Sequence, residues 1–188
     1  MSNTAFLIMD YQNSIVERFA RGADLSPVQE ALAAARASQV PVIFVRVAFR
    51  PGYPDVSPNN LSFSAIRDRG DMVETDPATQ IWDGVAPREG EVVVVKRRVG
   101  AFAGSGLDVV LRSLQVGHLV LAGIATSGVV LSTLRLAADL DYQITVLKDA
   151  CLDGDLEVHR VLMEKVFPRQ AKVMDTREWV DALSSLRS

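Results

Sequence analysis

Short apolar runs alternate with amphipathic stretches from one end of the chain to the other. Phe6-Leu-Ile-Met9 runs straight into Asp10, and Val92-Val-Val-Val95 runs straight into Lys96. Apolar runs of this length between stretches of helical periodicity predict βαβ units and a parallel sheet. The expected strands cover 5–9, 40–47, 91–95, 118–122, 143–147 and 171–174. The near-continuous apolar character of 40–47 points to burial on both faces. Helices are expected over 27–38, 107–114, 128–140, 156–166 and 176–186. Ser26 is placed to cap the first of these, with Pro27 at its first position. Thr176 is placed to cap the last, with Glu178 in its first turn. Residues 50–79 are rich in Pro, Asn, Gly and Asp. They read as a long excursion with one short helix near 63–69, and such loops are usually functional or mobile. The fold class is therefore one α/β domain over 1–188: three layers, α/β/α, around a six-stranded parallel sheet.

Length and composition narrow the setting. A chain of 188 residues can bury a sizeable single core. Its formal charge of −3 gives no reason to expect nucleic acid or an anionic membrane surface as partner. The start, Met-Ser-Asn-Thr, lacks a basic segment, and its apolar run stops at Asp10, which is not the pattern of a secretory signal. The single cysteine, Cys151, excludes an internal disulfide and fits a cytoplasmic location.

Ligands of open parallel sheets bind outside the carboxyl ends of the strands. Asp10, Lys96 and the turn around Ser127 stand at such ends. Periodicity leaves two readings of the first two. Asp10 and Lys96 form one acid–base pair able to move protons and steady charge, or Asp10 caps a loop and Lys96 simply leaves the sheet for water. The turn is the run Gly123-Ile-Ala-Thr-Ser-Gly-Val-Val-Leu-Ser-Thr133, where a strand passes sharply into a helix. Such turns present side chains beside the N–H groups of a helix start.

Three blocks in this order carry a resemblance. Asp10-Tyr-Gln-Asn13, Lys96-Arg-Arg-Val-Gly-Ala-Phe102 and the 123–133 elbow are together similar to the isochorismatase-like cysteine hydrolases. Asp149-Ala-Cys151 and Glu157-Val-His159 extend the likeness toward the end of the chain. The resemblance implies catalytic roles for Asp10 and Lys96, and a substrate pocket touched by Gln12, Phe102, Ala125, Ser127, Gly128 and Val129. In those hydrolases an aspartate takes the proton of a cysteine, the cysteine attacks an amide-type carbon, and a lysine supports the charge. Here the cysteine's place, six residues after Gly123, holds Val129, which has no heteroatom to attack with. The likeness also extends to isochorismatases without the cysteine, in which the aspartate protonates a vinyl ether and water completes hydrolysis. The family turn implies a cis peptide at Ile124–Ala125 and an anion-binding nest of N–H groups, against an ordinary helix start capped by Ser127.

The implied function is hydrolysis of a small organic substrate by an Asp/Lys pair and activated water. The alternative is a non-catalytic member that binds a small carboxylate or serves in assembly. No metal and no other cofactor is expected: His118 and His159 join no cluster of ligand spacing, and the nicotinamidase metal motif is absent. Ser132 and Thr133 are expected to face helix neighbours. Cys151 is read as a small buried apolar group, with a different hydrolase built on it or on a serine as the third hypothesis. A homo-oligomer, dimer or tetramer, is expected from the resemblance, with a small molecule as substrate.

Overall fold

The computed structural model describes residues 3–185. Six parallel strands form one sheet in the order β3-β2-β1-β4-β5-β6. They are β1 (Asn3–Met9), β2 (Val42–Val47), β3 (Val92–Lys96), β4 (Val116–Ile124), β5 (Gln143–Leu152) and β6 (Lys172–Met174). The sheet class and strand count agree with the sequence. From β1 the chain first lays β2 and β3 to one side and then β4, β5 and β6 to the other. The order therefore reverses between β1 and β4, and that junction is where the crevice of such a sheet opens.

Among the described residues there are seven α-helices: α1 (Asn13–Phe19), α2 (Ser26–Ala37), α3 (Leu61–Arg69), α4 (Leu107–Ser113), α5 (Leu131–Asp139), α6 (Leu156–Val161) and α7 (Thr176–Ser185). Alternation along the strands divides the core into two faces. On one, Leu7, Met9, Val45, Val94 and Leu121 pack against Leu107 and Leu111 of α4 and Leu134 of α5. On the other, Phe6, Ile8, Phe44 and Val120 meet Val16 of α1, Leu32 of α2 and Trp179 of α7. Phe6 and Trp179 form a tilted ring pair at 5.2 Å. A third cluster, Val47, Phe49, Val56 and Phe63, seats the 50–79 excursion on the carboxyl end of β2.

Several local expectations change. Helix α1 was not foreseen, because Asn13–Phe19 is short and mostly polar outside Val16. Ser26 is the first residue of α2 and Leu25 is the N-cap, with no side-chain cap; the Asp24 carboxylate accepts from the Ser26 N–H at 2.9 Å just before the helix. Thr176 is likewise the first helical residue, and its N–H and hydroxyl donate to Asp149 Oδ1, each at 2.8 Å. Glu178 closes the same turn by accepting from the Asp175 N–H at 2.9 Å. The last helix is described to Ser185, so its expected end at Leu186 lies outside the described residues. Strand β5 runs past its expected end to Leu152. It does so through an irregularity: Leu121 pairs with Val146, but Gly123 pairs with Cys151.

Candidate active site

Asp10 follows β1 with φ of +59°, the left-handed region that non-glycine residues seldom occupy. Had the strand continued, residue 10 would follow Phe6 and Ile8 toward α1, α2 and α7. The left-handed turn redirects it. Lys96 follows Val94 onto the α4/α5 face, and there Asp10 Oδ2 meets its ammonium Nζ at 2.9 Å. The two side chains are 7% and 2% exposed. The pair expected from the sequence is thus within bonding distance, although β2 separates the two strands.

The partners of this pair are unequal. Lys96 Nζ also donates to the carbonyls of Arg98 and Val99, each at 3.0 Å, so all three of its N–H donors are engaged. Asp10 Oδ1, in contrast, is buried with no hydrogen-bond partner among the described residues. Burial pushes the Asp10 carboxyl above the ordinary carboxylate range, and the Lys96 charge and hydrogen bond, with a weaker contribution from the Val47 backbone, pull it back only in part. An acid held high, with one oxygen unsatisfied, is equipped to exchange a proton with a bound molecule.

The lysine segment is fastened to the helix behind it. Ala101 N–H donates to Thr133 Oγ1 at 3.0 Å, and a Cβ on Gly100 would stand 3.3 Å from Ser132 Cβ. Thr133 was expected to serve its own helix, but it anchors the segment carrying Lys96. Phe102 is 7% exposed and joins the α4/α5 core, with Tyr142 at 6.1 Å.

Gln12 is fully buried, with its carboxamide engaged by the protein itself. Nε2 donates to the carbonyls of Val47 at 2.9 Å and Thr79 at 2.7 Å, and Oε1 accepts from the Val47 N–H at 2.8 Å. Neither N–H is left for a ligand. Gln12 ties the start of α1 to the end of β2 and to the excursion, which makes it a clamp beside the site.

The elbow closes on β1. A Cβ on Gly123 would lie 3.0 Å from Val130 Cγ2 and 3.1 Å from the Met9 carbonyl oxygen, so only glycine fits this approach. The Ile124–Ala125 peptide is cis, as the resemblance implied. Ala125 caps the following turn, and its carbonyl accepts from the N–H groups of Gly128 at 3.1 Å and Val130 at 3.3 Å. Ser127 is not the cap. Its side chain is exposed, and its N–H donates to Asp153 Oδ2 at 2.7 Å. An amide expected to receive an outside anion is therefore already met by an internal carboxylate. Burial raises the Asp153 carboxyl, but hydrogen bonds from Ser127, Asp155 and Gly154 outweigh that and hold it below its usual range. Gly128 is half-buried, and Val129 is 2% exposed within the α4/α5 core.

Thr126 was missed in the sequence. Its hydroxyl donates to the Leu152 carbonyl at 3.2 Å and lies 2.8 Å from His159 Nδ1. The carbonyl can only accept, so His159 carries its proton on Nδ1 toward Thr126. Threonine next to a serine on an apolar helix gives no signal of this; the partner lies 33 residues away. His118 bridges Thr4 and Thr145 at 3.1 and 2.9 Å, away from these groups. Cys151 is 2% exposed, and burial pushes its thiol up to about 12. It is a protonated core group at neutral pH. Among the described residues no three His, Cys, Asp or Glu gather to hold a metal, and no helix is long and apolar enough to cross a membrane.

A cavity of about 360 Å³ opens beyond the end of β2, with Ser14, Ile15, Phe19, Val47, Phe63 and Met72 among its walls. Asp10, Lys96 and Val129 do not line it.

Comparison with known proteins agrees with this architecture. The isochorismatase domain signature matches residues 4–178. The ureidoacrylate amidohydrolase RutB of Stutzerimonas stutzeri is 35% identical over 172 residues, 79% of this chain and 69% of that protein. The isochorismatase family protein YwoC of Bacillus subtilis, itself uncharacterized, is 32% identical across 95% of this chain and 93% of its own. A cysteine hydrolase from Pseudomonas syringae pv. phaseolicola superposes with a TM-score of 0.90 at 24% identity, covering 97% of this chain and 93% of that one. That last likeness speaks for the fold alone. Signature, relatives and strand order converge, and the chain belongs to the isochorismatase family.

Proposed function

We propose that this chain hydrolyses a small organic substrate, an amide, a vinyl ether or a related compound, by activating water at Asp10 and Lys96 without a cysteine nucleophile. The observation that carries this reading is the unpartnered Oδ1 of a buried, charge-paired Asp10. In an amide, Asp10 takes a proton from water as the water oxygen adds to the carbonyl carbon, then returns it to the leaving nitrogen. In a vinyl ether, Asp10 first protonates the terminal carbon, water adds to the oxocarbenium that results and gives its proton back to Asp10, and the hemiketal collapses to a carbonyl as the C–O bond to the departing alcohol breaks and that alcohol takes the proton. Lys96 acts through its field, because its three N–H donors already have acceptors. The amide class is favoured by the name of the RutB relative.

In this reading the thiol is absent because Val129 stands six residues after Gly123, where the resemblance puts the nucleophile; Cys151 lies across the sheet ladder from Gly123, buried and protonated. In this reading Ala125, Ser127, Gly128 and Phe102 shape the walls of the site, and the protein acts as a cytoplasmic homo-oligomer without a cofactor. Sedimentation showing only monomer at micromolar concentration would remove the oligomer from this picture.

One observation favours the non-catalytic alternative. Val129 is packed into the core, and the Ser127 amide is occupied by Asp153, which leaves less room for a reacting molecule. A screen of amides, vinyl ethers and small esters against the parent and Asp10→Asn separates the two. Turnover in the parent that Asp10→Asn abolishes supports the hydrolase. Equal turnover in both refutes the role of Asp10, and tight binding of a small carboxylate with no turnover in the parent establishes the binder.

A further inference from the structure

The edge of the sheet at β3 carries a second polar region that the proposed chemistry does not use. A cavity of about 400 Å³ is lined by Arg50, Asp55, Val95, Arg97, Arg98 and neighbouring residues 103–104. Neither Asp10 nor Lys96 lines it.

The guanidiniums here outnumber the acids. Arg50 Nη1 contacts Asp55 Oδ1, and Arg97 Nε lies 3.2 Å from Asp55 Oδ2. Arg97 also donates to the Ala48 carbonyl and, through Nη2, to Glu74 Oε2 at 2.8 Å. Arg98 Nη1 donates to the carbonyls of Asp55 at 3.0 Å and Arg97 at 2.6 Å. Behind them Arg46 faces the same Glu74 and feels the charge of Arg97. Four guanidiniums thus gather around two carboxylates, of which Asp55 pairs with Arg50 and Arg97, and Glu74 with Arg97. The Nε and Nη2 groups of Arg50 and Arg98 bond to none of the described residues, and both side chains reach solvent. Arg97 Nε is buried without a hydrogen bond of good alignment.

We propose that this cavity is a binding site for a small oxyanion, a phosphate or a carboxylate group, held between Arg50 and Arg98 and separate from the Asp10–Lys96 pair. Planar guanidiniums match both anions through paired N–H donors. The walls rest on rigid supports, since Arg97 is fastened to Ala48 and Glu74. Occupancy also reaches the neighbouring chemistry, because Arg98 supplies one of the two carbonyls that hold Lys96.

Titration calorimetry at low ionic strength tests the site, with inorganic phosphate and succinate as separate probes and chloride of matched ionic strength as the control. Saturable binding of either probe is expected, and which probe binds tells whether phosphate or carboxylate is the ligand. Arg50→Gln and Arg98→Gln, both at solvent-reaching positions, should each weaken it by about tenfold or more. Asp10→Asn should leave it unchanged. Binding that survives both arginine substitutions, binding lost in Asp10→Asn, or no saturable heat beyond chloride would each overturn the proposal.

Discussion

Asp10 and Gln12 stand two residues apart, are both buried, and have opposite fates. Every N–H of the Gln12 carboxamide meets a backbone carbonyl, and its oxygen meets a backbone N–H. Asp10 has Lys96 on one oxygen, and its other oxygen has no well-aligned hydrogen bond among the described residues. A buried polar group without its partner is costly, and one with all its partners is structural. Completeness of hydrogen bonding therefore separates the residue that holds the site together from the residue that is left available for chemistry. Their shared motif in the sequence hides this distinction.

The comparison breaks most visibly through turnover. Asp10→Asn should lower the rate on a true substrate by about 10²–10⁴, with circular dichroism and melting unchanged in form. A loss no larger than twofold would place the proton transfer elsewhere. Val129→Cys sharpens the same point from the other side. If Asp10 is poised beside an intact elbow, a thiol at that position should gain amidase activity that thiol alkylation removes. Such a variant that stays folded, binds an amide and yet gains nothing would show that the elbow no longer aligns with Asp10.

Gln12→Leu should act on stability instead. Leaving the Val47 and Thr79 groups without partners should cost about 3 kcal/mol in urea unfolding, whereas any loss of activity should be recovered where the variant remains folded. A shift below about 0.5 kcal/mol would contradict the clamp. A smaller effect is expected for Cys151→Ser, which exchanges a buried thiol for a hydroxyl at about 1–2 kcal/mol and should keep most of the activity. In the folded parent the thiol should react slowly with a disulfide reagent at neutral pH, since burial holds it protonated with a value of about 12.

The smallest effect concerns pH. The Asp10 carboxyl is raised in the fold above the 3.8 of an unburied aspartate. Its contribution to stability is then full below pH 3.8 and is lost as pH rises through the folded value. The double variant Asp10→Leu/Lys96→Met removes this term. Its stability relative to the parent should accordingly increase as pH rises from 3.8, which pH-dependent urea midpoints would register. A difference independent of pH would mean that Lys96 fully offsets the burial of Asp10. In the parent, the acid limb of the rate profile should lie above the ordinary carboxylate range for the same reason.

The sequence by itself determined the layers, the six parallel strands and the two residues that end β1 and β3. An apolar run such as Phe6–Met9 is buried on both faces of a covered sheet, and that constraint is local enough to read, although the similar run Val92–Val95 lies on the edge strand with Val92 and Val93 exposed. The family likeness of three ordered blocks also located the elbow and Val129. Tertiary structure alone decided what the polar groups do. The left-handed turn at Asp10 reverses the direction its strand position implies, so the pairing across β2 depends on three strands at once. The role of Gln12 depends on Val47 and Thr79, and that of Thr133 on Ala101. The Ser127 amide looked open to a ligand until the bend in β5 brought Asp153 to it. Hydrophobic burial is encoded by each segment's own pattern, whereas hydrogen bonding is directional and pairwise, so its outcome exists only once distant segments have met.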